Sequence, residues 1–305
     1  VIFPTKQSEI DAREAEEVIK RKLEELRSAF SRVGVIDEAD ADAELKVTAW
    51  ERFLKTYAED LPETNEDDEL RKKAETTLRY WRKVGKGGDF ENSIGMKFTI
   101  IQPGKFQMGS NNYEGEAPEH QVTITRPFLI GMYEVTQKEW VSIMGSNPSR
   151  FQGDHLPVEN VSSDDIQRFI QILNAKEGTA THRLPTEAEW GYACKLGNTS
   201  ESNLEKEAWF AENSDRASHK VGRKAVNEIG LYDMLGNVWE WCSDWIGLYD
   251  GRPVVDPQGP PKGIRHVVRG GAWDTGKDLL RPTARSASPL PGAGNIGFRL
   301  VRSID

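Results

Sequence analysis

Cysteine is scarce in this chain, which has Cys194 and Cys242 and no other among its 305 residues. Two cysteines are too few for a disulfide-stapled scaffold, and both lie beside apolar or aromatic neighbours. We therefore expect two buried free thiols. No apolar run approaches the ~20 residues that cross a bilayer. We expect a soluble protein of the cytoplasm or periplasm, without a membrane span.

Positively charged residues are fewer than negatively charged ones. Lys and Arg number 40 against 49 Asp and Glu, which gives a net charge of −9. Nucleic-acid binding needs a basic surface, so nucleic acid is not an expected partner. The chain begins with VIFP at residues 1–4 rather than with methionine. We expect a processed or truncated N-terminus, with an upstream anchor or domain missing.

Glycine is scarce in the first 84 residues, where apolar residues recur at three- and four-residue steps. This spacing predicts three short amphipathic helices, the second about Asp40–Tyr57 and the third about Glu66–Trp81. Residues 1–84 are therefore predicted to be a small all-α segment, and residues 85–89 a glycine-rich linker. Two roles remain open for the segment: a stabilising appendage, or a docking module for a protein partner or an upstream domain.

Residues 90–305 have a different pattern, in which short strands alternate with turns and helices. The predicted strands are Phe98–Ile101, Phe106–Met108 and Val122–Ile124. The predicted helices are Thr136–Met144, Ser163–Ala175 and Pro185–Leu196. Thr186 and Glu189 have the spacing of a capping box at the start of the third helix. Irregular backbone is expected after Leu196, so the domain is predicted to be α+β.

Tryptophan and glycine are concentrated in three loop-like segments: GLYDMLGNVWEW at 230–241, RGGAW at 269–273 and GFRL at 297–300. Five more segments accompany them, namely FQMGS at 106–110, EHQV at 119–122, YEVTQ at 133–137, PVENVS at 157–162 and RLPTEAEW at 183–190. Together they resemble the signature of the formylglycine-generating enzyme (sulfatase-modifying factor) family. The resemblance implies a variant of the C-type lectin fold, with much irregular structure, for residues 90–305.

Enzymes of that family hold copper with two cysteines that follow the RGG segment, and soft thiolates suit Cu(I). Here Thr275 stands about where the first of these cysteines would align, and the second has no counterpart. We therefore expect no copper and no formylglycine synthesis. The resemblance then implies a non-catalytic binding or regulatory module, in bacterial signalling or partner recognition.

Two other functions remain open. One is a metal-dependent oxidase of the same family with an unrecognised metal site, although the five histidines form no HxxxH pair and would have to meet from dispersed loops. The other is a variable ligand-binding protein of the retroelement type. The motifs of serine hydrolases, zinc proteases and phosphate-binding loops are missing.

The resemblance also implies a structural Ca²⁺ site. The matching positions are Asp233, Gly236, Val238 and Glu240. Two carboxylates and two backbone carbonyls are hard oxygen ligands of the kind that Ca²⁺ prefers. The alternative is a metal-free loop in which the two acidic side chains cap backbone N–H groups.

A ligand-binding face is predicted in the loop sequence after the RGG segment. Its candidate residues are Trp273, Asp274, Lys277 and Arg281. An aromatic anchor flanked by arginine is a common recognition composition, so we predict that a protein or small-molecule ligand binds here. In the alternative interpretation, Trp273 belongs to the core and Arg285 and Arg299 form internal ion pairs.

Overall fold

The computed structural model describes residues 6–38, 43–58, 65–84, 90–197, 204–288 and 293–304. The chain divides into two compact units, one within Val1–Gly88 and the other within Asp89–Ile304. The linker predicted at 85–89 lies outside the described residues, so the domain boundaries inferred from the sequence stay predictions.

The first unit consists of helices α1 (Lys6–Glu38), α2 (Ala43–Thr56) and α3 (Glu66–Val84). Helix α1 spans 33 residues and is not the short helix that the sequence predicted. Phe30, Trp50 and Phe53 pack edge to face with ring centroids 5.1 to 5.8 Å apart. This aromatic cluster forms a core within the first unit. Within the described residues, no helix combines the length and apolarity needed to cross a bilayer.

The second unit combines helices with three small sheets. Its helices are α4 (Gln137–Met144), α5 (Ser163–Glu177), α6 (Glu187–Leu196) and α7 (Leu204–Glu207). Its strands are β1 (Phe90–Glu91), β2 (Lys97–Ile101), β3 (Gly104–Met108), β4 (His120–Ile124), β5 (Phe128–Gly131), β6 (His182–Arg183), β7 (Trp239–Trp245), β8 (Val254–Val255), β9 (His266–Arg269), β10 (Arg285–Ala287), β11 (Ile296–Gly297) and β12 (Val301–Ser303). The predicted α+β class is confirmed.

The strands form sheets of five, four and three members, in the orders β1-β2-β5-β12-β6, β10-β9-β7-β11 and β3-β4-β8. Strand β12 pairs antiparallel with both β5 and β6, so the last strand of the chain completes the sheet that begins with β1 and β2. This pairing holds the GFRL segment, which precedes β12, in the interior.

Local capping signals begin helices α4, α5 and α6 within two residues of their predicted starts. The Thr186 hydroxyl accepts a hydrogen bond from the backbone N–H of Glu189 at 3.1 Å, and the Glu189 carboxylate accepts one from the N–H of Thr186 at 2.8 Å. Helices α4 and α5 begin with the same reciprocal arrangement. Because these bonds lie within three residues, they form wherever the rest of the fold allows a helix.

Strand β7 is the main departure from the sequence prediction, which expected irregular backbone after Leu196. Trp239–Trp245 pairs antiparallel with β9 and parallel with β11. Its first four residues are all buried. A strand that is covered on both faces lacks the alternation of apolar and polar residues by which strands are recognised.

Candidate functional site

The predicted calcium loop, residues 233–240, has a tightly coiled backbone. Asp233, Gly236 and Asn237 all have φ between 54° and 80°, in the left-handed region. The N–H of Gly236 donates to the Gly270 carbonyl at 2.9 Å, and that of Asn237 donates to the Trp209 carbonyl at 2.8 Å. The loop is thus fixed on both sides by backbone hydrogen bonds.

A buried charge centre lies beneath this loop. It contains Glu134, Asp233, Glu240 and Arg299, each at most 2% exposed. Arg299 binds both oxygens of Glu240 at 2.6 Å, and the Trp190 indole donates to the same carboxylate at 2.7 Å. The internal ion pair considered for Arg299 is therefore confirmed. Three carboxylates face one guanidinium, which leaves negative charge in excess.

Glu134 is the member of the charge centre that the sequence did not predict. Its carboxylate accepts hydrogen bonds from the Asn237 side chain at 2.6 Å and from the Val238 N–H at 3.1 Å. Burial, and after it the neighbouring Asp233 and Glu240, raises the pKa of Glu134 well above its ordinary value. Burial likewise raises the pKa of Asp233 to about 6. Both raised pKa values follow chiefly from burial, which disfavours the charged form of a carboxylate.

One carboxylate oxygen of this centre is open to a cation such as the predicted Ca²⁺. Asp233 Oδ2 accepts a hydrogen bond from the N–H of Gly222 at 2.7 Å, but its Oδ1 is buried without a hydrogen-bond partner. A carboxylate has about four acceptor positions, so Glu240 retains one after its three hydrogen bonds. In the described part of the chain, no cluster of three or more His, Cys, Asp or Glu side chains could hold a metal by itself. A cation here would therefore need backbone carbonyls as further ligands, and those of Gly236 and Val238 stay predicted ligands.

The four residues of the predicted ligand-binding face differ in exposure. Trp273 is 9% exposed and packs at right angles to the Phe151 ring, with centroids 5.6 Å apart. Asp274 and Lys277 are exposed. The Lys277 ammonium lies 3.2 Å from the carboxylate of Glu205. Trp273 therefore belongs to the core, as the alternative interpretation held.

Arg281 is buried and already partnered. It is 4% exposed and forms an ion pair with Glu116. Its guanidinium also lies 3.3 Å from the centroid of the Tyr113 ring, in a cation–π contact. The binding role predicted for the four residues stays a prediction, and the side chains that can meet a ligand from solvent are those of Asp274 and Lys277.

Thr275, at the position implied for the first copper cysteine, has a structural contact. Its hydroxyl accepts a hydrogen bond from the Ala272 N–H at 2.9 Å, and the residue is 7% exposed. Cys194 and Cys242 are buried thiols outside any disulfide of the described residues, as predicted. Burial, and after it the charge of Asp244, raises the pKa of the Cys242 thiol well above its ordinary value.

A cavity of about 410 Å³ lies at a second carboxylate cluster, which we call the carboxylate cavity. Its polar lining residues include Glu187, Asp244, Tyr249 and Arg285. Arg285 binds Glu187 through two hydrogen bonds of 2.8 and 2.7 Å, so the internal ion pair considered for Arg285 is confirmed. Tyr249 donates to the same carboxylate at 3.0 Å. Glu187 was not predicted, because its partners lie 62 and 98 residues away in the chain.

Residues 88–304 match the family of the sulfatase-modifying factor enzyme 1-like domain. The match covers well over half of the chain, and the chain therefore belongs to this family. The resemblance to formylglycine-generating enzymes and the fold expected from it are confirmed. The scaffold alone does not specify an activity.

The similar proteins carry different names. The chaperone protein LppX of Paenibacillus barcinonensis is 28% identical over 262 residues, which cover 67% of this chain and 89% of LppX. The serine/threonine-protein kinase pkn1 of Chlamydia pneumoniae is 31% identical over 244 residues, which cover 68% of this chain and 38% of the kinase. Among solved structures, Treponema denticola variable protein 1 matches with a TM-score of 0.66 and 30% identity, over 70% of this chain and 99% of that protein.

Proposed function

We propose that the family domain of this chain is a non-catalytic binding or regulatory module. The observation that carries the proposal is Thr275, which stands where the family resemblance implies a copper-binding cysteine. A threonine hydroxyl does not replace a thiolate as a ligand of Cu(I). This hydroxyl also accepts a hydrogen bond from the backbone of Ala272, which gives it a structural role in the turn.

The two cysteines of the chain do not compensate for this substitution. Cys194 lies on α6 and Cys242 on β7, and both side chains are fully buried in the core. A thiol must ionise to bind a metal, and burial raises the pKa of Cys242. The burial of both thiols supports a structural role for them.

Recognition of a protein or small-molecule partner is the function that we propose for the loop around Asp274 and Lys277. Both side chains are exposed, and Asn295 donates two hydrogen bonds, of 2.9 and 3.1 Å, to the Asp274 carboxylate. Loops on a rigid scaffold commonly carry binding residues. The names of the relatives, a kinase, a chaperone and a variable protein, support a recognition role in bacterial signalling.

The proposed absence of catalysis is tested by incubating the protein with copper, oxygen, a reductant and a peptide that carries a sulfatase motif. We expect the peptide cysteine to remain unchanged by mass spectrometry, while an active formylglycine-generating enzyme converts it in parallel. Conversion by this protein contradicts the proposal. Stoichiometric copper or iron in the purified protein, together with turnover, supports the oxidase alternative instead.

The binding half is tested with a charge-reversed variant, Asp274→Lys/Lys277→Glu, which leaves the net charge unchanged. A partner that the wild type retains and this variant loses supports the loop as the binding face. The control is Asp154→Lys/Lys262→Glu, which exchanges the same charges at two other exposed positions. Equal retention by all three proteins places the binding face elsewhere.

A further inference from the structure

The second unit contains a cleft of about 760 Å³ whose charged lining residues are mostly basic. We call it the basic cleft, and its cationic side chains are Lys97, Lys138, Lys176, Lys220 and Arg223. His155 lies beside them, and Glu139 is the one acidic residue in the lining. This concentration of positive charge is unexpected in a chain with a net charge of −9.

The five cations converge from four separate elements. Lys97 begins β2, Lys138 lies in the first turn of α4, and Lys176 lies in the last turn of α5. Lys220 and Arg223 belong to the loop before the calcium-loop segment. All five are exposed, and none of their side chains forms an ion pair with any residue in the described part of the chain.

The loop that carries Lys220 and Arg223 is fixed by its own backbone. The N–H of Val221 donates to the His155 carbonyl at 3.0 Å, and the N–H of Gly222 donates to Asp233 at 2.7 Å. Gly222 has φ of +69°, and a Cβ there would lie 2.5 Å from the Tyr133 ring. The two cations are therefore held at the cleft by a rigid turn.

Glu139 offsets one of these five positive charges. Its carboxylate accepts hydrogen bonds from the N–H and the hydroxyl of Thr136, at 2.7 and 2.8 Å, in the capping box of α4. Like charges that share a cleft repel one another and attract a ligand of opposite sign. Five exposed cations around a cleft of small-molecule size can bind several negative charges on one compact ligand.

We propose that the basic cleft binds a small ligand that carries a chain of phosphate groups. Phosphate oxygens supply the required charge density, and Arg223 can bind them through two parallel hydrogen bonds. A phosphate chain can belong to inorganic polyphosphate or to a nucleoside triphosphate. The site is separate from the loop around Asp274 and Lys277, with which it shares no residue.

The test is isothermal titration of the full chain with inorganic tripolyphosphate and, separately, with ATP. Protein and ligand solutions are equilibrated at the same free Ca²⁺ concentration, because both ligands bind calcium. We expect saturable binding of one ligand per chain that weakens as salt is added. Tighter binding of ATP identifies a nucleoside triphosphate site, and equal binding identifies a polyphosphate site.

Two variants with the same net charge separate the cleft from the general effect of charge. Lys220→Glu/Arg223→Glu changes the cleft, and Lys105→Glu/Lys262→Glu changes two exposed lysines outside its lining. We expect at least tenfold weaker binding in the first variant and less than a twofold change in the second. Equal weakening in both, absence of saturable binding, or equally tight binding of hexaglutamate overturns the proposal.

Discussion

Gly236 shows how strongly one residue constrains the calcium-loop segment. Its φ is +80°, and a Cβ at this position would lie 2.2 Å from the carbonyl oxygen of Trp209. The neighbouring atoms are backbone, so no side-chain rotation can relieve the overlap. Glycine is required here both for its conformation and for the close approach of two chain segments.

Replacing Gly236 with alanine should therefore lower the free energy of unfolding by more than the left-handed backbone conformation alone explains. Gly145→Ala is the matched control, because Gly145 has φ of +77° and a methyl group there would meet no atom within 4 Å. We expect about 1 kcal/mol of destabilisation for the control, from the left-handed backbone. Gly236→Ala should lose at least about 2 kcal/mol more, as overpacking against rigid neighbours does. Urea denaturation measures both, and equal losses would show that the loop can move away from Trp209.

Asp244 predicts a pH dependence of stability. The residue is 4% exposed, and its carboxylate accepts a hydrogen bond from the Glu187 N–H at 2.8 Å. Burial, and after it the charge of Glu187, raises the pKa of Asp244 to about 6. The folded protein thus binds the proton of the Asp244 carboxyl group more tightly than the unfolded chain does. Stability from this group is complete below about pH 4 and is lost as the pH rises through about 6.

The variant Asp244→Asn removes this contribution, because the amide does not ionise. Between about pH 4 and pH 7, the free energy of unfolding should fall by about 2 kcal/mol less in the variant than in the wild type. Asp154→Asn, at an exposed position, is the control and should follow the wild type. Urea denaturation at several pH values gives the comparison, and parallel curves for all three proteins would exclude this role for Asp244.

At the scale of elements, local signals were sufficient to predict helices α4, α5 and α6 but not the charge centre. The capping box of Thr186 and Glu189 is contained in four consecutive residues. The ion pair of Glu240 and Arg299 joins residues 59 positions apart, and Glu134 reaches Asn237 across 103 positions. Such pairs depend on how strands and loops assemble. The family resemblance located Glu240 in its motif, but neither periodicity nor spacing could assign its partner.

The calcium loop is the element whose role is most directly testable. We predict that Ca²⁺ stabilises the fold through Asp233, with chelation lowering the melting temperature of the wild type. A ligand that binds the native state alone adds about 2.7 kcal/mol at a hundredfold excess over Kd. In a domain of this size that corresponds to roughly 5–10 °C.

Asp233→Asn is the variant for this test, because the amide oxygen can still accept the hydrogen bond from Gly222. Glu240 is left intact, since its removal would also break the ion pair with Arg299. Differential scanning calorimetry with and without chelator should show a large shift in the wild type and a small one in the variant. Equal shifts in both proteins would refute the assignment of Asp233 as a ligand.

At the scale of the whole molecule, the net charge of −9 conceals an uneven distribution. The carboxylates of the charge centre are buried around one arginine, whereas the cations of the basic cleft are exposed and unpaired within the described residues. Overall charge therefore predicts repulsion of nucleic acid but says nothing about a compact anion in the cleft. Nucleic acid would contact a large area of the surface, whereas a compact anion would contact the basic cleft alone.

The division into two units leads to the last prediction, that residues 90–305 fold alone. This unit has its own buried core, and β12 joins the sheet that contains β1 and β2. We expect the fragment to melt within about 4 °C of the full chain, the shift that about 1 kcal/mol produces at this size.

A fragment of residues 103–305 is the control and should not fold, because it lacks β2, which pairs with β5 over four residues. Scanning calorimetry and circular dichroism measure both fragments. If 90–305 is insoluble or melts much lower, the helices of the first unit are a stabilising appendage, and a docking role for them loses its support.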